Sequence, residues 1–471
     1  MSRPNESSSA LTIAVACLAT AMLMLDISVI NTALSDIAGG LDTDLSGLQW
    51  IVDAYTIPLA ATVLTAGAIA DRLGRRKLFA IGLGVFTVSS VACGAAGGIE
   101  MLVGSRAIQG LGASLMFATA LALISEATPN PADRGKALAI YGAAIGASFA
   151  LGPFIGGSLT ELFGWRAIFL INLPIGIVAL WITQRAVAES QDPTPRRIDL
   201  PGQLTLIGGL FLLVLALLRG NEDGWGSTGI VAALVGAAVL LTAFVVIEER
   251  SREPMLPLRL LSQRKFAGPQ VAVFAIASTF FAVFLYLTLY LQTVLGMSPI
   301  ETGLVYLPGT FLVFVVSGMT AQLGAKASPA KLASIGLALV AVGLAGMLLV
   351  GVDSSWTVIL PGLLVTSIGT GLFNPTASSL ALDALPREQS GLAVGSNDTF
   401  RQAGVAVGIA ALGTLVPADA ALGGNLQSYV DGLHNALIVG AVVAMAGAIA
   451  TAWLLLPAES LAEAEAATGA D

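Results

Sequence analysis

Three ionisable residues stand alone inside otherwise apolar sequence: Asp26 in MLDISVINTALSDI, Asp53 in WIVDAYTI and Arg106 in LVGSRAIQGLGAS. A fourth group, AGAIADRLGRRKLFAIG at residues 66 to 82, packs Asp71, Arg72, Arg75, Arg76 and Lys77 into seven positions of a chain that is 11% charged. An acid in hydrocarbon costs about 2.5 to 3.5 kcal/mol on insertion scales, so it is kept there for a partner or for a function. The chemistry open to such groups is proton uptake and release. Desolvation disfavours the charged form of a carboxyl and a nearby guanidinium favours it, and a balance that changes with conformation is what a proton carrier requires. Covalent and metal chemistry have no comparable support. His434 is the one histidine and lies at a helix end, Cys17 and Cys93 sit in separate apolar runs, and no nucleophile–base pair, metal-ligand cluster or phosphate loop is visible. No catalytic residue, metal or cofactor is therefore expected.

The elements that position these residues follow from composition. With 56% hydrophobic residues and a mean hydropathy of +0.85 over 471 residues, the chain has more apolar surface than one soluble core can hide. Runs long enough to cross about 30 Å of hydrocarbon recur from end to end, and only helices satisfy the backbone inside them. The expected spans are 11–34, 48–70, 78–97, 100–125, 137–160, 166–185, 201–219, 228–247, 266–294, 303–323, 332–351, 356–382, 396–417 and 433–456, fourteen in all. The count of 53 Gly fits close helix approach. The run after MSRPNESSS is too long for the core of a cleaved signal, so a retained first helix is expected.

Of the 22 Lys and Arg, 18 fall on one side of this map, two on the other, and Arg106 and Arg401 lie within spans. The bias places both termini in the cytoplasm. It also makes the net charge of −8 uninformative about nucleic acid, since the basic residues form a belt at the inner membrane surface. The opposite loops carry Asp36, Asp42, Asp44, Glu100, Glu222, Asp223, Asp353, Asp419 and Asp431. Asp26 lies roughly 12 Å below the outer end of span 1 and Arg106 roughly 9 Å below that of span 4, so they share a depth that Asp53 also approaches. Asp26 is read as the leading proton carrier with Arg106 as its modulating charge, against a permanent ion pair. Asp53 is either a second carrier or a residue facing outer water.

Shifted by about 255 residues the chain echoes itself. PADRGKALAI at 131 aligns with PREQSGLAVG at 386, and GAIADRLGRRKLFAIGL at 67 with GMTAQLGAKASPAKLASIGL at 318. The expected organisation is an all-α membrane protein. A first six-helix bundle occupies 1–190, two inserted spans 191–255, a second bundle 256–457 and an acidic, disordered cytoplasmic tail 458–471. Asp26 maps near Phe281, Arg106 near Pro361 and Asp71 onto Gln322, so the charges concentrate in the first bundle and no mid-span acid is expected in the second.

These motifs together resemble the major facilitator superfamily, in its fourteen-helix drug:proton antiporter branch. GAIADRLGRRK is similar to motif A, LVGSRAIQGLGAS to motif B, GASFALGPFIGG to motif C, and MLDISVINTALSDI to the span-1 signature, with Ser28 and Ser35 where Thr and Pro are usual. WRAIFLINLPIG, IDLPGQLTLIGG, YLQTVLGMSPIETGLVYLP and RQAGVAVG resemble further stretches of the branch. The resemblance implies proton-driven export of small, partly hydrophobic drugs or metabolites by a monomer in the bacterial cytoplasmic membrane, in contact with lipid. The alternative is a symporter importing a nutrient. Gly146, Gly152, Pro153, Gly156 and Gly157 would seal the two bundles against a leak. Gly67, Asp71, Arg72, Gly74, Arg75 and Arg76 would form an inner latch, Asp71 meeting Arg401 with Asp398 as a competing partner. Asn31, Trp50, Tyr55, Phe281, Tyr286, Tyr290, Gln292 and Phe373 are the candidates for lining the cargo cavity, aromatics and amides suiting bulky, partly apolar compounds.

Overall fold

Long apolar segments rich in Ala and Gly satisfy their backbone by coiling, and they are stopped where capping or turn residues take over. A computed structural model describes residues 6–128, 130–191, 199–251, 253–323, 327–385, 389–417, 420–421 and 424–468. Among these, the regular structure is helical throughout: α1 (Glu6–Leu41), α2 (Leu45–Leu73), α3 (Arg75–Gly94), α4 (Ile99–Ala127), α5 (Pro131–Phe163), α6 (Ala167–Leu170), α7 (Asn172–Ala186), α8 (Leu200–Asp223), α9 (Thr228–Arg250), α10 (Arg264–Ile276), α11 (Ala282–Leu289), α12 (Pro299–Leu323), α13 (Pro329–Gly346), α14 (Leu360–Asp383), α15 (Ser390–Gly413) and α16 (Leu426–Thr468). Asp44 caps α2 by accepting from the Gly47 N–H at 2.9 Å, and Asp199 caps α8 in the same way at Gly202. Gly74 turns the chain between α2 and α3 at a φ of 112°, a conformation that side chains rarely adopt.

Helices α1 to α7 form one bundle and α10 to α16 another, and both are fastened by glycines in corresponding places. In the first, a Cβ on Gly112 would come within 2.7 Å of the Phe86 backbone N, locking α3 to α4. In the second, a Cβ on Gly336 would come within 2.7 Å of the Gly369 carbonyl, locking α13 to α14. Small residues at such crossings let backbones touch, which is how helices associate where lipid supplies no hydrophobic drive. The link from α10 to α11 passes through a π-turn, Ala277–Phe281, and a second, Tyr290–Val294, ends the span. The inserted pair α8–α9 lies against both bundles. The Gln203 amide donates to the Ala61 carbonyl of α2 at 2.7 Å, the Asn221 amide to the Thr414 carbonyl just past α15 at 2.7 Å, and Phe211 stacks on Trp50 at 5.4 Å.

Twelve described helices are long and apolar enough to cross a membrane. A thirteenth is α5, bent by 43° between Ile140–Ser148 and Leu151–Phe163, where Pro153 removes a backbone donor. The remaining expected span, 396–417, coincides with much of α15 but falls short in apolarity because of its polar run Ser396–Asn397–Asp398–Thr399 with Arg401 and Gln402. The acidic segment at 458 onward, expected to be disordered, continues α16 to Thr468, as its Ala, Glu and Leu content favours; residues 469–471 lie outside the described ones.

Because Gly112 sits at a backbone contact and Gly104 faces open space, Gly112→Leu should cost about 3 kcal/mol or more of stability by overpacking, whereas Gly104→Leu should be neutral. Thermal unfolding of the two detergent-purified variants, followed by size-exclusion chromatography, checks this.

Candidate functional site

Four helices converge on Asp26. Its carboxylate receives Arg106 at 2.5 Å from α4, the Gln109 amide at 2.9 Å from the next turn of that helix, and the Asn172 amide at 3.0 Å from the start of α7. Ser90 of α3 accepts from both amides, at 2.7 and 3.2 Å. Arg106 also donates to the Ile51 carbonyl at 3.1 Å and lies over the Tyr55 ring, 4.2 Å from its centroid. Asp26 is 2% exposed and Arg106 1%. A buried pair is tolerated when hydrogen bonds offset its desolvation, and here both Asp26 oxygens and the Arg106 Nε and Nη1 groups are bonded. Asp26 and Arg106, expected at a shared depth, are in direct contact. Gln109, three residues beyond Arg106, and Asn172 in WRAIFLINLPIG carried no expected role, although both lie in the motifs quoted above.

Asp53 is different. It is fully buried and neither carboxylate oxygen has a hydrogen-bond partner. It does not face outer water. It lies one turn from Gln49 on the face of α2 that meets the second bundle, within electrostatic reach of Tyr286. A second buried acid is Asp398 of α15, 2% exposed, with Gln402 one turn on as its polar neighbour. It interacts electrostatically with Arg401 on its own helix and with Tyr55 and Tyr141 of the first bundle. The second bundle therefore does carry a mid-span acid, about 12 Å along α15 at 1.5 Å per residue. Asp398, expected only as a competing latch partner near the start of its span, is instead this mid-span acid.

At the acidic end the bundles are sealed together. A Cβ on Gly157 would meet the Pro299 carbonyl, and one on Gly303 would lie 3.0 Å from the Phe154 Cα. Gly152 and Gly156 instead press α5 onto Ser28 and Thr32 of α1. Beside them the Glu161 carboxylate of α5 accepts from the Ile300 N–H at the start of α12, at 3.1 Å, and the Gln292 amide donates to the Thr32 carbonyl at 2.8 Å. Gln49 donates to the Tyr286 hydroxyl at 2.6 Å, and that hydroxyl donates in turn to the Ile409 carbonyl. Tyr286 and Gln292, expected to line the cargo cavity, are thus bridges between bundles. Glu161 went unnoticed because nothing in sequence aims it at another helix.

At the basic end Asp71 bonds Arg75 at 2.9 Å, and Arg75 reaches Glu126 of α4 at 3.8 Å. The expected partner Arg401 is not there. Leu64 of α2 already opposes Gly395 of α15, so Asp71 lies beyond the start of that helix while Arg401 is about 16 Å inside it at the helical rise. Gly74 leaves room for Glu189, whose carboxylate caps α3 by accepting from the Arg76 and Lys77 N–H groups at 3.0 and 3.2 Å. The Arg76 guanidinium bonds Gln184 at 3.2 Å, Arg72 is exposed, and Gly67 approaches Ala118.

The other expected lining residues fill helix contacts. Phe373 is fully buried against Gly336, the Tyr290 hydroxyl donates to the Gly351 carbonyl at 2.7 Å, Phe281 stacks edge-on against Phe280 at 5.5 Å, and the Asn31 amide bonds its own helix at Ile27. Trp50 packs on the inserted pair, and the Tyr55 ring supports Arg106. His434, expected on a wet surface, is half-buried with Nε2 2.8 Å from the Val350 carbonyl.

Residues 16–409 match the profile of the Major Facilitator Superfamily. The chain is 36% identical over 400 residues to the multidrug resistance protein Stp of Mycobacterium tuberculosis (strain CDC 1551 / Oshkosh), covering 84% of this chain and 74% of that one. It is 31% identical over 446 residues to the methylenomycin A resistance protein of Streptomyces coelicolor, covering 94% and 92%. It is 32% identical over 460 residues to the puromycin resistance protein of Streptomyces alboniger, covering 95% and 91%. A crystal structure of a POT family transporter in complex with 5-aminolevulinic acid has the same fold, with a TM-score of 0.68, 15% identity and coverage of 93% and 94%.

Arg106→Leu should leave a buried carboxylate uncompensated and destabilise the protein by about 3 to 5 kcal/mol. The second substitution Asp26→Leu should restore most of that loss. Melting curves of the single and double variants measure both effects, and an Arg106→Leu protein that melts like wild type would contradict the assignment.

Proposed function

Because this chain belongs to the Major Facilitator Superfamily of membrane transporters, we propose that it is a proton-coupled antiporter exporting small, partly apolar compounds from a bacterial cytoplasm by alternating access. Its relatives are named for resistance to several drugs, to methylenomycin A and to puromycin, and antibiotic-like compounds are the cargo this favours. The excess of Lys and Arg in the loops of one face assigns that face and both termini to the cytoplasm. With that orientation the seal formed by Gly157, Gly303, Glu161, Gln292 and Gln49 closes the outside. The protein is then captured facing inward.

The observation that carries the coupling is the contrast between two buried acids. Asp26 is bound on both oxygens by Arg106, Gln109 and Asn172, all within the first bundle. Asp53 has no partner and stands in the seam that rocking must open. An ionised carboxylate left so would cost several kcal/mol, so in this conformation it holds a proton. Opening of the outer seal exposes it to be loaded. Arrival of cargo in the inward-facing state is the step that discharges it. The carrier role expected for Asp26 accordingly passes to Asp53, with Asp398 a second titrating site on the facing bundle. Asp26 and Arg106 hold the first bundle together. The inner latch begins with Asp71, Arg75 and Glu126, all on one bundle, so it orients the loop for whatever the second bundle presents when the inside closes.

In proteoliposomes Asp53→Asn should lose at least tenfold of pH-gradient-driven uptake of an ethidium or puromycin probe while retaining exchange of labelled for unlabelled probe without a gradient. Uphill transport at the wild-type rate by Asp53→Asn would overturn the assignment.

A further inference from the structure

At the cytoplasmic end of the inserted pair two carboxyl groups face each other. Asp199 stands just before α8, and Glu248 lies in the last turn of α9, 2% exposed. Each commits one oxygen to the backbone: Asp199 Oδ1 accepts from the Gly202 N–H at 2.9 Å, and Glu248 Oε2 from the Leu256 N–H at 3.0 Å. The other two oxygens, Asp199 Oδ2 and Glu248 Oε1, are buried and receive no donor. They converge on one spot, 2.9 and 2.8 Å from where a Cβ on Gly202 would stand, and lie within hydrogen-bonding range of each other. Among the described residues Asp199 is the one charged group that acts on Glu248. Glu249 and Arg250, next on α9, are exposed, as are Glu253 and Arg259 in the segment that follows.

We propose that Asp199 and Glu248 hold one proton between them, a binding site that clips the inserted pair to α2 at the cytoplasmic face. Two carboxylates this close do not both stay ionised, and a single proton supplies the donor that both orphan oxygens lack. A hard cation such as Ca²⁺ would take about six to eight oxygens, and only these two are free. The site reaches α2 through its neighbours. Gln203, one turn into α8, donates to the Ala61 carbonyl at 2.7 Å and accepts from the Thr65 hydroxyl. Thr65 also lies 3.4 Å from the sulfur of Met255, the residue before Leu256. Loss of the proton would set two charges against each other here and loosen both the start of α8 and the segment after α9 from α2. In the unfolded chain such carboxyls release their protons near pH 4, so at neutral pH the native state binds one proton more. Stability therefore falls as pH rises through the point of release. Only the assignment of this face to the cytoplasm rests on the orientation argued above; the site is separate from Asp53 and does not depend on antiport.

The test uses the full-length protein in nanodiscs and infrared spectroscopy of its carboxyl groups. At neutral pH the wild type should show a protonated-carboxyl C=O component that Glu248→Gln and Asp199→Asn each remove and that Asp53→Asn leaves in place. Asn keeps the cap on Gly202, so either variant serves should the other fail to fold. A spectrum that neither substitution changes overturns the site. A component lost only with Asp53→Asn belongs to the proposed carrier, which overturns this site and leaves the antiport reading intact. Thermal unfolding gives a second readout. From about pH 6 to about pH 9, where paired and buried carboxyls release their protons, the wild-type melting temperature should fall by at least about 3 °C more than that of Glu248→Gln, whose amide stands permanently for the protonated acid. Parallel melting profiles overturn the proposal. A wild-type melting temperature at the alkaline end that rises with sodium or potassium but not with choline at equal ionic strength shows a metal cation in the gap and overturns it as well.

Discussion

A charge moved from water into hydrocarbon survives only when everything it would have bound in water is replaced by the protein. The rest of this structure is arranged around that demand at Asp26 and Arg106. Satisfying two side chains takes Gln109 from α4, Asn172 from α7, Ser90 from α3 and the Ile51 carbonyl from α2, while α1 supplies the acid itself. Five helices are therefore tied to one point, and any of them that moved away would strand a buried donor or acceptor. The consequence is mechanical. The first bundle behaves as one piece, and conformational change has to happen along its border with the second.

That border is built of contacts of another kind. Inside the bundles, glycines fasten α3 to α4 and α13 to α14 along much of their length, whereas Gly157 and Gly303 touch across the border at one end only. Backbone contacts of this sort gain dispersion energy and no hydrophobic energy, since lipid would cover the same surface equally well. They close tightly and open at modest cost. The polar bridges beside them, Gln292 to Thr32, Gln49 to Tyr286 and Glu161 to Ile300, have the same property because water from the outside can replace each partner as they part. An unpartnered acid such as Asp53 belongs on this border, where its surroundings change, and would be a defect anywhere else.

The sequence made the helices, the repeat, the buried pair and the glycine stripe of α5 legible, because each depends on local runs or on depth along a span. Depth is a single coordinate, and it brought Asp26 to Arg106 correctly. It could not say which way a side chain turns around its helix, and for that reason Asp53 stayed open between a carrier and a residue facing outer water, and Tyr286 was placed against cargo. The pairing of Asp71 with Arg401 failed on register: a latch partner was sought on the right helix but well below the level at which α2 ends. Asp398 was read as a competing latch partner near the start of its span, and its burial stayed hidden for a related reason, since it lies in a polar run that by composition alone looks exposed. Glu161 and Glu189 were illegible because each caps the start of a distant helix, α12 and α3 respectively, and such long-range capping leaves no trace in local spacing.

The inserted helices gain a meaning from this division between fixed and moving parts. Helix α8 is bonded to α2 at Ala61 through Gln203 and stacked on Trp50, and it packs on the second bundle through Ala406 and Ala410 of α15, with a polar contact at Asn221 and Thr414 near the outer end. Lying across both pieces, its apolar flank keeps α2 and α15 screened from lipid as they slide. A twelve-helix arrangement without α8 would present two equivalent seams to the bilayer. With α8 in place, the flank of the seam between α2 and α15 is covered by Leu206, Leu210, Val214 and Leu218.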